Sequence, residues 1–272
     1  MSARLSVLKL GGSVLRDDAS YASAARFLQH RLSTGPVTKD VERLVVIVSA
    51  QYGTTDLLLA SAQVIANEPS PPALDLLWST GELRSVAILA LHLQRIGVSA
   101  VPFNVHQTGL VADRANGTTV RPLRLRAALA HARIVIVPGF LGVSAGGTIT
   151  SLGRGGSDLT AVLLAAAVRA DACELIKDVP GYFTADPHRR ADARPIHDLT
   201  IEDALAMADA GCDLVQRAAL TAAEAAGLRL VIRSTDAAAP VTYVHPSHEG
   251  KDRSTHHGVR HQDDSRGPAV GA

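Results

Sequence analysis

Residues 134–170 read I-V-I-V-P-G-F-L-G-V-S-A-G-G-T-I-T-S-L-G-R-G-G-S-D-L-T-A-V-L-L-A-A-A-V-R-A, and this passage decides the fold. An apolar, β-branched run (Ile134–Val137) gives way to a glycine-rich passage from Gly139 to Gly156, then to an apolar stretch of helical length, Leu159–Ala170. Branched side chains suit a strand covered on both faces. Glycines let a turn take φ > 0 and bring backbone close to a ligand.

The same order recurs along the chain. Strand-like runs at Leu5–Leu10, Leu44–Val48, Ala100–Phe103, Ile134–Val137, Glu174–Ile176 and Leu228–Ile232 alternate with longer helical patterns. Those patterns are Tyr21–Arg31, Asp56–Asn67, Leu74–Ile96, Arg124–His131, Leu159–Ala170, Ile201–Ala208 and Asp213–Ala226. The alternation predicts an α/β fold, a three-layer α/β/α sandwich with a mostly parallel central sheet. Ligands of such sheets bind at the carboxyl ends of strands. The glycine turns fall at those ends: Gly11-Gly12 after the first strand and Gly139 to Gly156 after the fourth.

At 272 residues and 47% hydrophobic, the chain has enough material for one bilobal globular domain. A formal net charge of +1 and 3% aromatic residues argue against nucleic acid and against an anionic membrane surface as partners. Cys173 and Cys212 have no metal-ligand spacing and read as cytosolic thiols. Lys9 and the glycines after it interrupt the apolar start, so no secretory signal is read. The longest apolar run, Leu159–Val168, is too short to span a bilayer. A soluble, cytoplasmic protein is expected. From residue 246 to 272 the pattern stops, and His248, His256, His257 and His261 sit in what reads as a solvated, disordered tail.

Several short motifs carry chemistry. In Thr148–Ala161, Arg154 can grip a carboxylate with two parallel hydrogen bonds, and the next helix offers free N–H groups to an anion. Lys9-Leu-Gly-Gly-Ser13 lacks P-loop spacing, yet its glycine N–H groups and Lys9 suit a phosphate; the plain alternative is a tight strand–helix turn. Gly153–Asp158 fails as a Rossmann fingerprint because Asp158 stands at the third glycine. Gly142-Val-Ser144-Ala-Gly146 matches a nucleophile elbow in letters. The next residues, Gly147-Thr-Ile-Thr150, read as loop or hairpin rather than helix, so a serine hydrolase is a remote reading. Asp178 and Asp186, around Pro180-Gly181, either orient a nucleotide or magnesium ion or cap turns. Ser79-Thr-Gly-Glu82 has capping-box spacing and reads as opening a helix; Glu82 could instead receive an ammonium group.

Taken in order, K-L-G-G-S (9–13), V-S-A-x-x-G-T-T-D (48–56), S-T-G-E-x-x-S (79–85), P-G-F-L-G (138–142), T-S-L-G-R-G-G-S-D-L-T-A (150–161) and D-V-P-G-Y-F-T-A-D-P (178–187) resemble the catalytic domain of aspartate kinases, in the amino acid kinase superfamily. The resemblance covers roughly residues 3 to 245. It implies ATP- and Mg²⁺-dependent phosphorylation of the aspartate side-chain carboxylate to 4-phospho-aspartate, for lysine, threonine and methionine synthesis. It implies an acceptor lobe over about residues 1–170 and a nucleotide lobe over about 171–245. Members commonly dimerise, so a homodimer is expected. By the same resemblance Lys9 neutralises the transferred group and Asp158 organises that lysine. Gly11, Gly12 and Ser13 bind phosphate. Ser49, Thr55, Glu82, Arg154 and Ser157 surround the amino acid, and Lys177, Asp178, Phe183, Asp186 and His188 take the nucleotide positions.

The residues support this chemistry in their own right. A carboxylate acceptor is already ionised at neutral pH, so no general base is required. The obstacle is charge repulsion, which positioning, lysines, Mg²⁺ and N–H donors overcome.

The pattern departs on the nucleotide side. The family's late G-A-K-V-L-H is Gly211-Cys-Asp-Leu-Val-Gln216 here, with Asp213 for lysine. Lys177 replaces a threonine, Phe183 a tyrosine and His188 an arginine. Lys177 is expected to supply the positive charge lost at Asp213. Typical members continue into regulatory amino-acid-binding domains; this chain is expected to show no lysine or threonine feedback. The competing readings are a kinase for another small carboxylate or phosphate, and a catalytically weak amino-acid-binding regulator.

Overall fold

The computed structural model describes residues 4–33, 42–113, 117–187 and 189–247. His188 and the expected tail from residue 248 onward lie outside the described residues. In chain order the first half comprises β1 (Leu5–Leu10), α1 (Asp18–Ser33), β2 (Arg43–Val48), α2 (Thr54–Ile65), α3 (Pro71–Arg95), β3 (Val101–Pro102), β4 (Leu110–Asp113) and β5 (Gly117–Val120). Then come α4 (Leu123–His131), β6 (Ile134–Pro138), β7 (Leu141–Val143), β8 (Ile149–Ser151), α5 (Gly156–Val168) and β9 (Ala172–Ile176). The last elements among the described residues are β10 (Asp198–Thr200), α6 (Ile201–Asp209), α7 (Arg217–Ala225), β11 (Leu230–Arg233) and β12 (Thr242–His245).

Among the described residues the main sheet runs β10-β12-β11-β9-β1-β2-β6-β3, parallel except where β11 meets β12. Side chains alternate across a strand, and here both faces are apolar. Val7, Val45, Ile47, Val135, Val137, Cys173 and Leu175 pack with residues of α4, α5, α6 and α7 on one face. Leu8, Leu10, Leu44, Val46, Val48, Ile134, Ile136 and Ile176 pack with residues of α1 and α3 on the other. The expected three-layer sandwich therefore arises from period-2 alternation within continuous apolar runs. The sheet is unbroken at the expected lobe boundary, because β1 pairs with both β2 and β9.

Beyond the hairpin alternative at Gly147–Thr150, no run in the sequence marks the second, four-stranded sheet, β5-β4-β7-β8. Its strands are short and rich in glycine and threonine, too brief for a periodic signal. It absorbs the G-x-S-x-G motif: Gly142 lies in β7, and Ser144 sits in the turn to β8, its Oγ accepting the Thr148 N–H at 3.1 Å. A strand–turn–strand cannot be a nucleophile elbow.

Two helix starts are corrected. α3 begins at Pro71, with proline in its first turn, so Ser79 and Glu82 are helix-interior residues rather than a capping box. Ser79 Oγ donates back to the Leu76 carbonyl at 2.6 Å. α7 begins at Arg217, leaving Asp213 in the preceding turn. Both cysteines are free. No helix among the described residues is long and apolar enough to cross a membrane.

Candidate active site

Strand parity places the first charge. Lys9 shares the face of Val7, so it points toward α5 rather than α1. Lys177, one residue past the end of β9, shares the parity of Cys173 and Leu175 and points the same way. Asp158, in the first turn of α5, receives both. Lys9 Nζ lies 2.9 Å from Asp158 Oδ1, and Lys177 Nζ donates to Asp158 Oδ2 at 2.8 Å. Asp158 is 2% exposed and Lys9 7%, so these charges interact with little water between them. Burial alone would raise the Asp158 carboxyl, but Lys9 and Lys177 outweigh it and hold it below its ordinary value. For Lys177, burial and then the nearby Lys9 lower the ammonium, against the pull of Asp158.

The three residues line a cavity of about 380 Å³ at the carboxyl ends of β1, β2 and β9. Its walls also include Gly12, Ser49, Thr55, Glu82, Ser157 and Asp213. Gly12 has no room for a side chain, since a Cβ would lie 2.9 Å from the Ala50 carbonyl oxygen. α5 starts behind Gly155 in a left-handed conformation with no side-chain cap, so the positive end of its dipole borders the cavity. Glu82, on α3, is 3% exposed. Burial pushes its carboxyl up to about 8, against a hydrogen bond from the Ala50 backbone and the field of Lys9. Glu82 Oε2 has no hydrogen-bond partner among the described residues. A buried, half-satisfied carboxyl in a cavity wall is a ready acceptor for a ligand's ammonium.

Most of the expected acceptor and phosphate residues thus meet in one place. Gly11 is buried beside Lys9 and Ser13 is half-buried in the same turn, both just outside the cavity lining. Arg154 does not join them: it is exposed on the loop before α5, outside the cavity lining. Asp178 is exposed and lines a neighbouring cavity of about 580 Å³, which shares Lys177 with the first. Arg16 ties these parts together. Its Nε donates to the Ser13 carbonyl at 2.8 Å, its Nη2 lies 3.5 Å from Asp178 Oδ2, and its guanidinium sits 5.1 Å over the Tyr52 ring. Phe183 is half-buried and bridged to Pro195, while Asp186 is exposed beside Arg189 at 3.4 Å; neither lines the 380 Å³ cavity. No group of three or more metal-ligating side chains is present among the described residues.

Sequence reasoning gives no role to several wall residues, Phe140 and Gln216 among them. Phe140 takes φ 68°, a left-handed conformation costly for a non-glycine residue, and its ring meets Trp78 edge-on at 5.6 Å. Gln216, which precedes α7, packs where a side chain on Gly155 would be. Phe140 stands inside the P-G-F-L-G motif and Gln216 closes the Gly211–Gln216 stretch, but neither motif marks these side chains as cavity walls; the glycines packed against them, Gly156 and Gly155, do. A larger cavity of about 850 Å³ lies between α3 and residues 97–107, but no ionisable side chain lines it, so it offers no charge for chemistry on anions.

Comparison with known proteins agrees with this geometry. A model of the amino acid kinase family matches residues 4–234. An aspartokinase of Thermus thermophilus is 37% identical over 244 residues, covering 88% of this chain and 59% of that protein. An aspartokinase of Mycobacterium tuberculosis is 38% identical over 245 residues, with 88% and 57% coverage. The chain thus spans less than two thirds of these relatives' length. Among solved structures, the aspartate kinase from Synechocystis superposes with a TM-score of 0.77 at 34% identity, over 89% of this chain and 40% of that one. E. coli aspartokinase III in complex with aspartate and ADP gives 0.74 at 26%, over 89% and 65%. A UMP kinase from Bacillus anthracis shares the fold, with a TM-score of 0.62 at 18% identity over 91% of this chain and 98% of that one.

Proposed function

Because the chain belongs to the amino acid kinase family, we propose that it transfers the γ-phosphoryl group of ATP to the side-chain carboxylate of L-aspartate, forming 4-phospho-L-aspartate. The observation that carries this reading is one cavity holding two lysines on a buried aspartate and, in the same wall, the half-satisfied carboxyl of Glu82. An amino acid needs a site for its ammonium group and a site where its reacting carboxylate meets a phosphate. Glu82 suits the first and the Lys9 side the second. The similarity to aspartokinases supports aspartate as the amino acid.

Each group has its own part. Glu82 holds the ammonium, with Ser49, Thr55 and Ser157 beside it, and Arg154 reaches in from its loop to the α-carboxylate. Lys9, the Gly11–Ser13 turn and the α5 N-terminus neutralise the phosphoryl oxygens where charge builds up. Asp158 orients Lys9. Lys177, Asp178, Phe183 and Asp186 belong to the nucleotide side. Mg²⁺, when bound, supplies further charge neutralisation, and the carboxylates of Asp178 and Asp213 are hard oxygen donors of the type it takes together with phosphates. No side chain need act as a base, because the acceptor is ionised.

Asp213 in the cavity wall favours a second reading, an amino-acid-binding homologue with weak turnover, since its charge opposes a polyphosphate. Trapping the acyl phosphate with hydroxylamine, in the presence of ATP, Mg²⁺ and a panel of amino acids, separates the two. Hydroxamate formed with aspartate supports the kinase; aspartate binding without hydroxamate refutes it.

A further inference from the structure

We infer that Lys177 is a second catalytic cation, which works with Lys9 across Asp158 to neutralise the transferring phosphoryl group. This rests on the kinase reading above and carries the expectation that Lys177 makes up the charge lost at Asp213 further, from a counter-charge beside the nucleotide to a group acting on the transferring phosphoryl itself.

The charges in the cavity wall are Lys9 and Lys177 against Asp56, Glu82, Asp158 and Asp213. With Glu82 protonated, as its elevated value near 8 implies at neutral pH, two positive charges stand against three negative ones. A polyphosphate entering this space meets a wall that is already slightly negative. Without Lys177 the deficit doubles, and Lys9 alone would be fully spent on Asp158, 2.9 Å away.

Geometry puts Lys177 where the reaction needs it. It lies in the walls of both neighbouring cavities, the one that holds Glu82 and the one that holds Asp178. A phosphoryl group passing from donor to acceptor crosses the boundary between two such spaces. Asp158 presents one oxygen to each lysine, so the two ammonium groups are held as a pair on one buried carboxylate. A pair of like charges is costly to hold together, and an arriving anion relieves that cost in proportion to the charge it brings.

In the step itself the acceptor carboxylate oxygen forms a bond to the γ-phosphorus. The bond from that phosphorus to the bridging oxygen breaks, and its electron pair leaves with the nucleoside diphosphate. Lys177 stays protonated throughout and transfers nothing.

The test uses three variants of the whole chain. Lys177→Gln keeps a hydrogen-bond donor for Asp158 without the charge, Lys177→Arg keeps the charge, and Lys177→Gln/Asp213→Lys moves the charge to another wall of the same cavity. The inference predicts that Lys177→Gln lowers kcat on the order of 10²-fold, the scale of losing one charge-stabilising group. MgATP affinity, measured by titration calorimetry, should fall about tenfold. Lys177→Arg should retain most activity, and the double variant should recover part of the loss. Unchanged kcat and MgATP affinity in Lys177→Gln overturn the inference. So does a Lys177→Arg protein that melts like wild type yet is as impaired as Lys177→Gln. If wild type fails to phosphorylate aspartate while Lys177→Gln still weakens MgATP binding, the acceptor assignment falls and the role of Lys177 in holding phosphate is supported.

Discussion

The buried Glu82 carboxyl accepts a hydrogen bond from the backbone N–H of Ala50, and its Oε2 is left without a partner among the described residues. Ala50 lies just past β2 and Glu82 lies inside α3, so the contact joins a strand end to a helix more than thirty residues on. The pairing fixes the carboxyl in the cavity wall and leaves one acceptor for a ligand.

A pH dependence results from it. The folded carboxyl titrates near 8, well above the ordinary glutamate value. Between those values the folded state holds a proton that the unfolded state has lost. Stability from this group is therefore full at low pH, declines as pH rises through the window, and levels off above about 8. A ligand ammonium needs the ionised form, so acceptor affinity should rise by up to about tenfold per pH unit and flatten above the same point. Calorimetry between about pH 6 and about pH 9 should show this rise, with proton release below about pH 8. Glu82→Gln should abolish both; a wild-type affinity independent of pH would sink the assignment.

Arg154 is exposed, so its removal should cost little stability. If it closes onto the acceptor carboxylate, Arg154→Ala lowers acceptor affinity at least about tenfold, somewhat under the loss of about 2 kcal/mol or more expected for one partner of a fully desolvated charge pair. The melting temperature should hold while binding falls. Equal binding by wild type and variant would remove Arg154 from the site.

Arg31 serves stability instead. It reaches Glu42 at 3.1 Å and Glu174 at 2.5 Å, and both carboxylates are buried on the α1 face of the sheet. Arg31→Met should destabilise by about 3 kcal/mol, the lower end for breaking a buried pair, since Glu42 keeps Ser6 Oγ at 2.8 Å and Arg4 at 3.9 Å, and Glu174 keeps Arg233 at 3.8 Å. Replacing both glutamates by glutamine in the same chain should restore much of the loss in denaturant melts.

Gly139 lets α5 approach β6. A Cβ there would lie 2.7 Å from Ser157 Oγ and 2.8 Å from Ser157 Cβ. Gly139→Ala should cost about 1–3 kcal/mol by overpacking and also weaken acceptor binding by displacing Ser157. Gly147→Ala is the control: its φ of 83° imposes backbone strain, but no atom lies within 4 Å of the new Cβ, so binding should not change.

Legibility in the sequence differs by element. The main sheet and its helices are legible, because long apolar runs carry their own period. The small sheet is not, because segments such as Gly117–Val120 and Ile149–Ser151 pair only with partners outside themselves and carry little apolar signal. Glu82 reads as a possible ammonium site beside a capping-box alternative, and the continuous α3 removes that alternative. Phe140 and Gln216 lie in quoted stretches, but their place in the cavity wall is not legible there, since each enters it through the missing side chain of a glycine far away in the chain.

The sequence by itself determined the layer order, the glycine turns at the carboxyl ends of the strands, and the identities of the charges available there. Only the tertiary structure decided which charges meet. Register sets Lys9 opposite Leu175, so Lys177 falls just beyond the end of β9 on the same face, and α5 drops Asp158 between them. That placement depends on hydrogen-bonded pairing between strands far apart in the chain, and the strength of the charges depends on burial. Neither quantity is local, so neither is written in any single stretch of residues.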